Sequence, residues 1–389
     1  MPGDLAPFEF RTVPAIAVEW AGGRRLGEIL AARFGSRRAM VVTDRGVRGA
    51  GLLEPVLASL TAAGFTCAVF DGVVADPPEA VVHACAEAAR EFGADMVIGL
   101  GGGSSLDVAK LCAIMAAGNQ PLAEMYGIGK VRGERLPLVL IPTTAGTGSE
   151  VTNIAVITTG ETTKLGVVSP QLFADLALLD AELTVGLPVA HTAATGIDAM
   201  VHAIEAYTSK NKKNPISDAL AREALRLLSG SLVAACRNGQ DRGAREAMLL
   251  GAALAGQAFT NAPVAAVHAL AYPLGGHYHV PHGLSNALML GPVLRFNMAA
   301  AAPLYAELAD ALLGQASGTD SAARARDFVA EMERLMDASG APRRLRDVGV
   351  TDNALALLAS DAMKQGRLLV NNPVEVTEAD ALALYREAF

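Results

Sequence analysis

Asp198 and His202 stand four residues apart in the run Gly196-Ile197-Asp198-Ala199-Met200-Val201-His202. On a helix that interval puts both side chains on one face, converging on a single point. A carboxylate beside an imidazole suits a divalent cation such as Fe(II) or Zn(II). Six of the seven histidines lie between His191 and His282, and His268, His277, His279 and His282 follow one another within a short stretch. The spacing nominates Asp198 and His202 as ligands and leaves the choice among the later histidines open. His83 and His191 read as satisfied core histidines on apolar helices.

Two other segments have the chemistry to hold a phosphate. Met96-Val97-Ile98-Gly99 reads as a strand and runs into Leu100-Gly101-Gly102-Gly103-Ser104-Ser105-Leu106-Asp107, which reads as the start of a helix. Glycines let the backbone approach an anion closely, and the free N–H groups of a helix start supply positive potential. The same residues also serve an ordinary tight turn, with a serine as N-cap and Asp107 as a first-turn acid. The spacing is not the GxGxxG of a Rossmann turn. A second polar loop, Pro142-Thr143-Thr144-Ala145-Gly146-Thr147-Gly148-Ser149-Glu150, follows the next apolar strand. Asp44 closes a strand over Ala39 to Thr43, where a carboxylate can accept hydrogen bonds from ribose hydroxyls and repel a 2′-phosphate, which points to NAD.

These groups need elements to position them. Strand-like runs at Ala39 to Thr43, Thr66 to Phe70, Met96 to Gly99 and Leu138 to Ile141 alternate with helical patterns, predicting a mostly parallel sheet covered on both faces. After Leu187-Pro188 the strand-like runs stop, and Ala/Leu-rich helical periodicity continues to the end, as in the helix opening at Asn214-Pro215. The expected organisation is an α/β nucleotide-binding domain over residues 1–187 and an all-helical metal and substrate domain over residues 188–389. A chain of 389 residues, 51% of them hydrophobic, has material for two cores.

The 40 acidic and 32 basic residues give a net charge of -8, and no basic stripe is present to track a phosphate backbone, so nucleic acid is excluded as a partner. No uninterrupted apolar run reaches ~18 residues, and Met1-Pro2-Gly3-Asp4 carries no basic segment ahead of an apolar one. A cytoplasmic protein without membrane attachment is expected. Cys67, Cys85, Cys112 and Cys236 lie far apart with no CxxC spacing and read as apolar fillers.

Taken in order, Val41-Val42-Thr43-Asp44, Gly101-Gly102-Gly103-Ser104, Pro142-Thr143-Thr144-Ala145-Gly146-Thr147, Asp198-x3-His202, Pro281-His282-Gly283 and Asn371-Asn372-Pro373 resemble the iron-containing (group III) alcohol dehydrogenase family over nearly the whole chain. The resemblance implies the dehydroquinate synthase-like fold of that family and the metal ligands Asp198, His202, His268 and His282. It implies Fe(II), with Zn(II) as the other candidate, and an NAD(H)-linked interconversion of a small primary or secondary alcohol with its aldehyde or ketone. Cofactor contacts are implied from Asp44, Gly102, Gly103, Ser104, Thr143, Thr144, Thr147 and Lys164; Gly101 and Asp107 of the first turn complete the candidate set. An aspartate at position 44 goes with NAD in the family, and assembly as a homodimer or larger oligomer is implied too.

The sequence departs from the family pattern twice. The loop Val73-Val74-Ala75-Asp76-Pro77 has Asp76 where many members have asparagine. Members of the lactaldehyde reductase type have a histidine, thought to relay the substrate proton, four residues after the third ligand, where this chain has Tyr272. The candidates for that relay are Tyr272, His277, His279 or a chain of waters. A histidine, with a pKa of about 6.5, is better matched to neutral pH than a tyrosine at about 10, which favours His277, with Tyr272 shaping the pocket. Dehydroquinate synthase, glycerol dehydrogenase and maleylacetate reductase are the same-fold alternatives; the Asp/His/His/His set favours the alcohol dehydrogenase branch. Retention of both turns and all four ligands disfavours a non-catalytic binding protein.

Overall fold

Short aliphatic runs with no polar alternation, bounded by turn residues, suit strands with both faces covered, and the sheet is built from them. The computed structural model describes residues 7–160, 163–313 and 320–389; the opening Met1-Pro2-Gly3-Asp4 lies outside them. In chain order the strands are β1 (Ile16–Val18), β2 (Arg38–Asp44), β3 (Thr66–Val73), β4 (Met96–Gly101), β5 (Gly127–Ile128), β6 (Leu138–Pro142), β7 (Ile154–Thr159), β8 (Thr163–Val168) and β9 (Leu176–Leu179). Six of them form a parallel sheet in the order β1-β9-β6-β4-β2-β3. The central strands β4, β6 and β9 are buried at every residue, whereas β1 and β3 at the edges are not. Leu26, Leu30, Val41, Val56, Ile98, Leu100, Val139 and Leu178 belong to a core cluster of this sheet and its helices. A smaller sheet, ordered β5-β8-β7, holds the antiparallel pair β7–β8.

Among the helices, α1 (Leu53–Ala62), α2 (Glu79–Phe92) and α3 (Gly103–Ala117) connect the early strands. Later come α4 (Val189–Thr208), α5 (Pro215–Arg237), α6 (Arg242–Asn261), α7 (Ala266–Tyr278), α8 (His282–Leu313), α9 (Ser321–Ser339), α10 (Leu355–Ala362) and α11 (Glu378–Ala388). The chain divides into two compact units. One, holding both sheets, comprises Val13–Thr192 and Ala234–Ala253; the other, helical, comprises the segment up to Thr12, Ala193–Val233 and Leu254–Phe389. Within the helical unit α8 packs on α7, α9 and α11, and α10 packs on α7 and α11.

Among the described residues α8 is the helix long and apolar enough to cross a bilayer, yet 56% of its most apolar window is buried inside the protein. Pro292 and Pro303 lie within it. It is a core helix. His83 and His191, expected in the core, are both exposed. The buried stripe of α2 is Val82, Cys85, Ala86 and Ala89, and His83 falls beside it; His191 sits in the exposed first turn of α4. Cys85, Cys112 and Cys236 are buried, Cys67 is half-buried, and all four are free thiols.

Candidate functional site

The register of the parallel sheet brings the polar turns to one edge. Val42 pairs with Gly99 and Gly101 with Pro142, so the C-terminal ends of β2, β4 and β6 lie side by side. This is the edge where open α/β sheets bind ligands. The two loops touch: Thr143 N donates to the Gly101 carbonyl at 3.0 Å. A Cβ on Gly103 would come within 2.8 Å of the Thr147 side chain, and Gly101 takes φ +155°, with a Cβ there meeting Ser105 at 2.7 Å. Glycine is therefore required at both positions.

Gly101, Gly102, Gly103, Ser104, Thr143, Thr144 and Thr147 are thus brought together. Asp44 joins them from β2: its Oδ1 accepts from Val47 N at 3.0 Å, capping the short helix Arg45–Gly49, and its Oδ2 accepts from the Ser105 hydroxyl at 3.1 Å. Asp107 faces the protein interior. Its oxygens accept from Ser149 Oγ at 2.6 Å and Val156 N at 2.9 Å, and the buried ammonium of Lys110 lies 3.5 Å away. Lys110 in turn donates to Ser149 Oγ, Thr152 Oγ1 and the Ile154 carbonyl, fastening α3 to the second loop. Burial pushes the Asp107 carboxyl up and the Lys110 ammonium down, each opposed by the other's charge. Glu150, buried in the same loop, is pushed by desolvation up to about 7. Lys164 on β8 donates to Asp76 Oδ1 at 2.6 Å. Asp76, the residue that departs from the family pattern, has φ +50°, a conformation that Asp and Asn adopt more readily than other side chains.

In the helical unit, Asp198 and His202 lie one turn apart on α4, His268 lies in the first turn of α7, and His282 opens α8. Their four ligand atoms lie within 4.8 Å of one another. The Nε2 atoms of His202, His268 and His282 stand 3.8, 3.9 and 3.7 Å from the same oxygen, Asp198 Oδ1. Four ligands at about 2.1 Å around one tetrahedral ion stand about 3.4 Å apart, so the donor set fits a divalent cation with little adjustment. Burial raises the Asp198 carboxyl, but His202, His282, His268 and the Asn286 amide outweigh it and hold it below the usual carboxylate range. The side chain of His282 is 31% exposed, against 1% for Asp198, 5% for His202 and 3% for His268, so the centre opens on the His282 side.

The close approach of α8 to α4 depends on Gly283, where a Cβ would lie 2.6 Å from the Ala194 carbonyl oxygen. The chain reverses between α7 and α8 through His279, which takes φ +54° as the C-cap of α7. His202 stacks on Phe259 at 4.4 Å between ring centroids and on His268 at 4.8 Å. The Tyr272 ring lies 6.0 Å from that of His282, beside the open side of the centre. His277 is drawn elsewhere: its Nε2 lies 2.5 Å from Asp361 Oδ2 on α10.

Sequence reasoning passed over two residues that touch these ligands. Glu205 Oε2 is 2.6 Å from His268 Nδ1, and the Asn286 amide donates to Asp198 Oδ1 at 2.5 Å. Both had a signal. Glu205 follows Asp198 by seven residues and His202 by three, and Asn286 follows His282 by four, so each shares a helix face with a ligand.

Comparison with known proteins matches residues 15–181 to the model described as iron-containing alcohol dehydrogenase, and residues 192–389 to that of the Fe-containing alcohol dehydrogenase family, C-terminal. Long-chain-alcohol dehydrogenase 1 of Geobacillus thermodenitrificans is 43% identical over 360 residues, covering 92% of this chain and 91% of that one. NAD-dependent methanol dehydrogenase of Bacillus methanolicus is 35% identical over 367 residues, 94% of each chain. The crystal structure of a 1,3-propanediol oxidoreductase superposes with a TM-score of 0.95 at 36% identity, covering 99% of this chain and all of that one. With both halves matched in order and the relatives aligned over more than nine-tenths of their length, the protein belongs to the iron-containing alcohol dehydrogenase family and is an alcohol dehydrogenase.

Proposed function

We propose that the protein is an NAD(H)-linked dehydrogenase of small primary or secondary alcohols that uses one divalent ion, Fe(II) or else Zn(II), held by Asp198, His202, His268 and His282. The observation that carries this reading is the convergence of three imidazole Nε2 atoms on one buried carboxylate oxygen. Bound there, the ion would supply Lewis acidity toward an alcohol or carbonyl oxygen, and a nicotinamide would supply the hydride acceptor or donor.

The chain's own residues do the rest. Asp198, His202 and His268 close the buried side, and Phe259 against His202 keeps water from that flank. Tyr272, beside His282, is the polar side chain best situated to act on the substrate proton. His277, engaged with Asp361, supports the fold instead. Gly101, Gly102, Gly103 and Ser104, with Thr143, Thr144 and Thr147, cradle the cofactor phosphates. Asp44 favours NAD over NADP, consistent with the relative named for NAD. Asp107 holds this cradle from beneath, and Lys164 with Asp76 borders it. A cytoplasmic homodimer or larger assembly completes the proposal.

The test is oxidation of NADH by anaerobically purified protein with short aldehydes, metal-free and after addition of Fe(II) or Zn(II). Turnover that requires the ion is expected. Ion-independent turnover, or none with any aldehyde, overturns the reading.

A further inference from the structure

Glu205 is a buried carboxylate that the chemistry above does not use, and it makes three hydrogen bonds. Its Oε1 accepts from Val267 N at 2.7 Å, and its Oε2 accepts from Ala265 N at 2.9 Å and lies 2.6 Å from His268 Nδ1. Ala265 is the N-cap of α7 and Val267 lies in that helix's first turn, so one carboxylate fixes both the helix start and the ring of the histidine it carries.

We propose that Glu205 is a positioning residue of the metal centre. It accepts the Nδ1–H of His268, which fixes the ring's orientation and leaves Nε2 as the atom aimed at the ion. The inference rests on the reading of Asp198, His202, His268 and His282 as a divalent-metal site. Partners of this kind commonly contribute a factor of about 10 to 100 in metal affinity.

The experiment measures the affinity of chelator-stripped wild type, Glu205→Gln and Glu205→Asp for Co(II) and Zn(II) by competition with a chromophoric chelator. The visible spectrum of each Co(II) form and the melting of each metal-free form are recorded alongside. Glu205→Gln is expected to bind about 10 to 100 times more weakly with an altered Co(II) spectrum. Glu205→Asp, which keeps the charge on a shorter arm, is expected to recover part of the loss. Wild-type affinity and spectrum in Glu205→Gln overturn the inference and leave the metal site standing. Wild type that takes up neither ion overturns both. Should metal-free Glu205→Gln not fold, Glu205→Asp against wild type decides: weaker binding with an altered spectrum supports the assignment, and equal binding overturns it.

Discussion

Tyr272 and His277 lie five residues apart on one helix, and that interval puts them on different faces. At about 100° per residue, Tyr272 stays within about 40° of His268 on the helix surface, whereas His277, nine residues from His268, turns to the opposite face. The expectation that His277 relays the proton came from intrinsic pKa values alone; the helix period, equally readable in the sequence, points to Tyr272. Glu205 and Asn286 were legible by the same period, since each follows a ligand by one turn of its helix, although neither residue type alone marks a metal centre. Tyr272→Phe is expected to lower kcat by about 100-fold, the low end for a positioned proton donor, and to alter its pH profile. His277→Ala is expected to leave both unchanged and to cost under about 1 kcal/mol, as loss of a partly exposed polar contact does. Steady-state kinetics across pH, with urea melts of both variants, check the pair; an altered profile in His277→Ala alone would restore that histidine as the relay. Glu150 gives a pH prediction of its own. Its carboxyl is protonated in the fold up to about 7 and ionises from about 4.5 in the unfolded chain. Stability therefore falls as pH rises through that window, by up to about 3 kcal/mol in all. Glu150→Gln should abolish this loss and melt higher than wild type at pH 8; an unchanged slope between pH 5 and pH 8 would refute the assignment.

At the scale of elements, β2, β3, β4 and β6 of the parallel sheet were legible because short aliphatic runs bounded by turn residues suit strands covered on both faces. The helices after β3 and β4 were equally plain. β1, β5, β7, β8 and β9 were not read. β1 is three residues long and half exposed, and β7–β8 form a partly exposed antiparallel pair, so neither carries a continuous apolar signal. β9, Leu176-Ala177-Leu178-Leu179, is wholly buried but too short to stand out from the helix-rich sequence after it. The glycine of Pro281-His282-Gly283 was recognised as part of a motif, but its reason lay in another element: the Ala194 carbonyl on α4 leaves no room for a Cβ. Gly283→Ala is expected to lift the start of α8 from α4, cost about 1 to 3 kcal/mol as overpacking does, and displace His282. Metal content after dialysis should fall well below one ion per chain, and a full complement would show that the contact is not needed.

For the whole molecule, stability should depend on the ion, because the four donors meet only in the folded chain. Ligand at 100 times its Kd stabilises by about 2.7 kcal/mol, so chelation is expected to lower Tm by several degrees and Zn(II) to restore it. A Tm indifferent to chelator, read by calorimetry, would count against a structural contribution from the centre. Chain order adds a consequence for synthesis. The turns around Gly101 and Thr143 emerge early from the ribosome, but the sheet-bearing unit still lacks its last stretch, Ala234–Ala253, which is translated after Ala193–Val233 of the helical unit. Asp198 and His202 therefore leave the exit tunnel long before His268 and His282 exist. A growing chain can at that point offer a metal ion only a two-armed grip, and tight capture must wait until His268 and His282 have emerged as well.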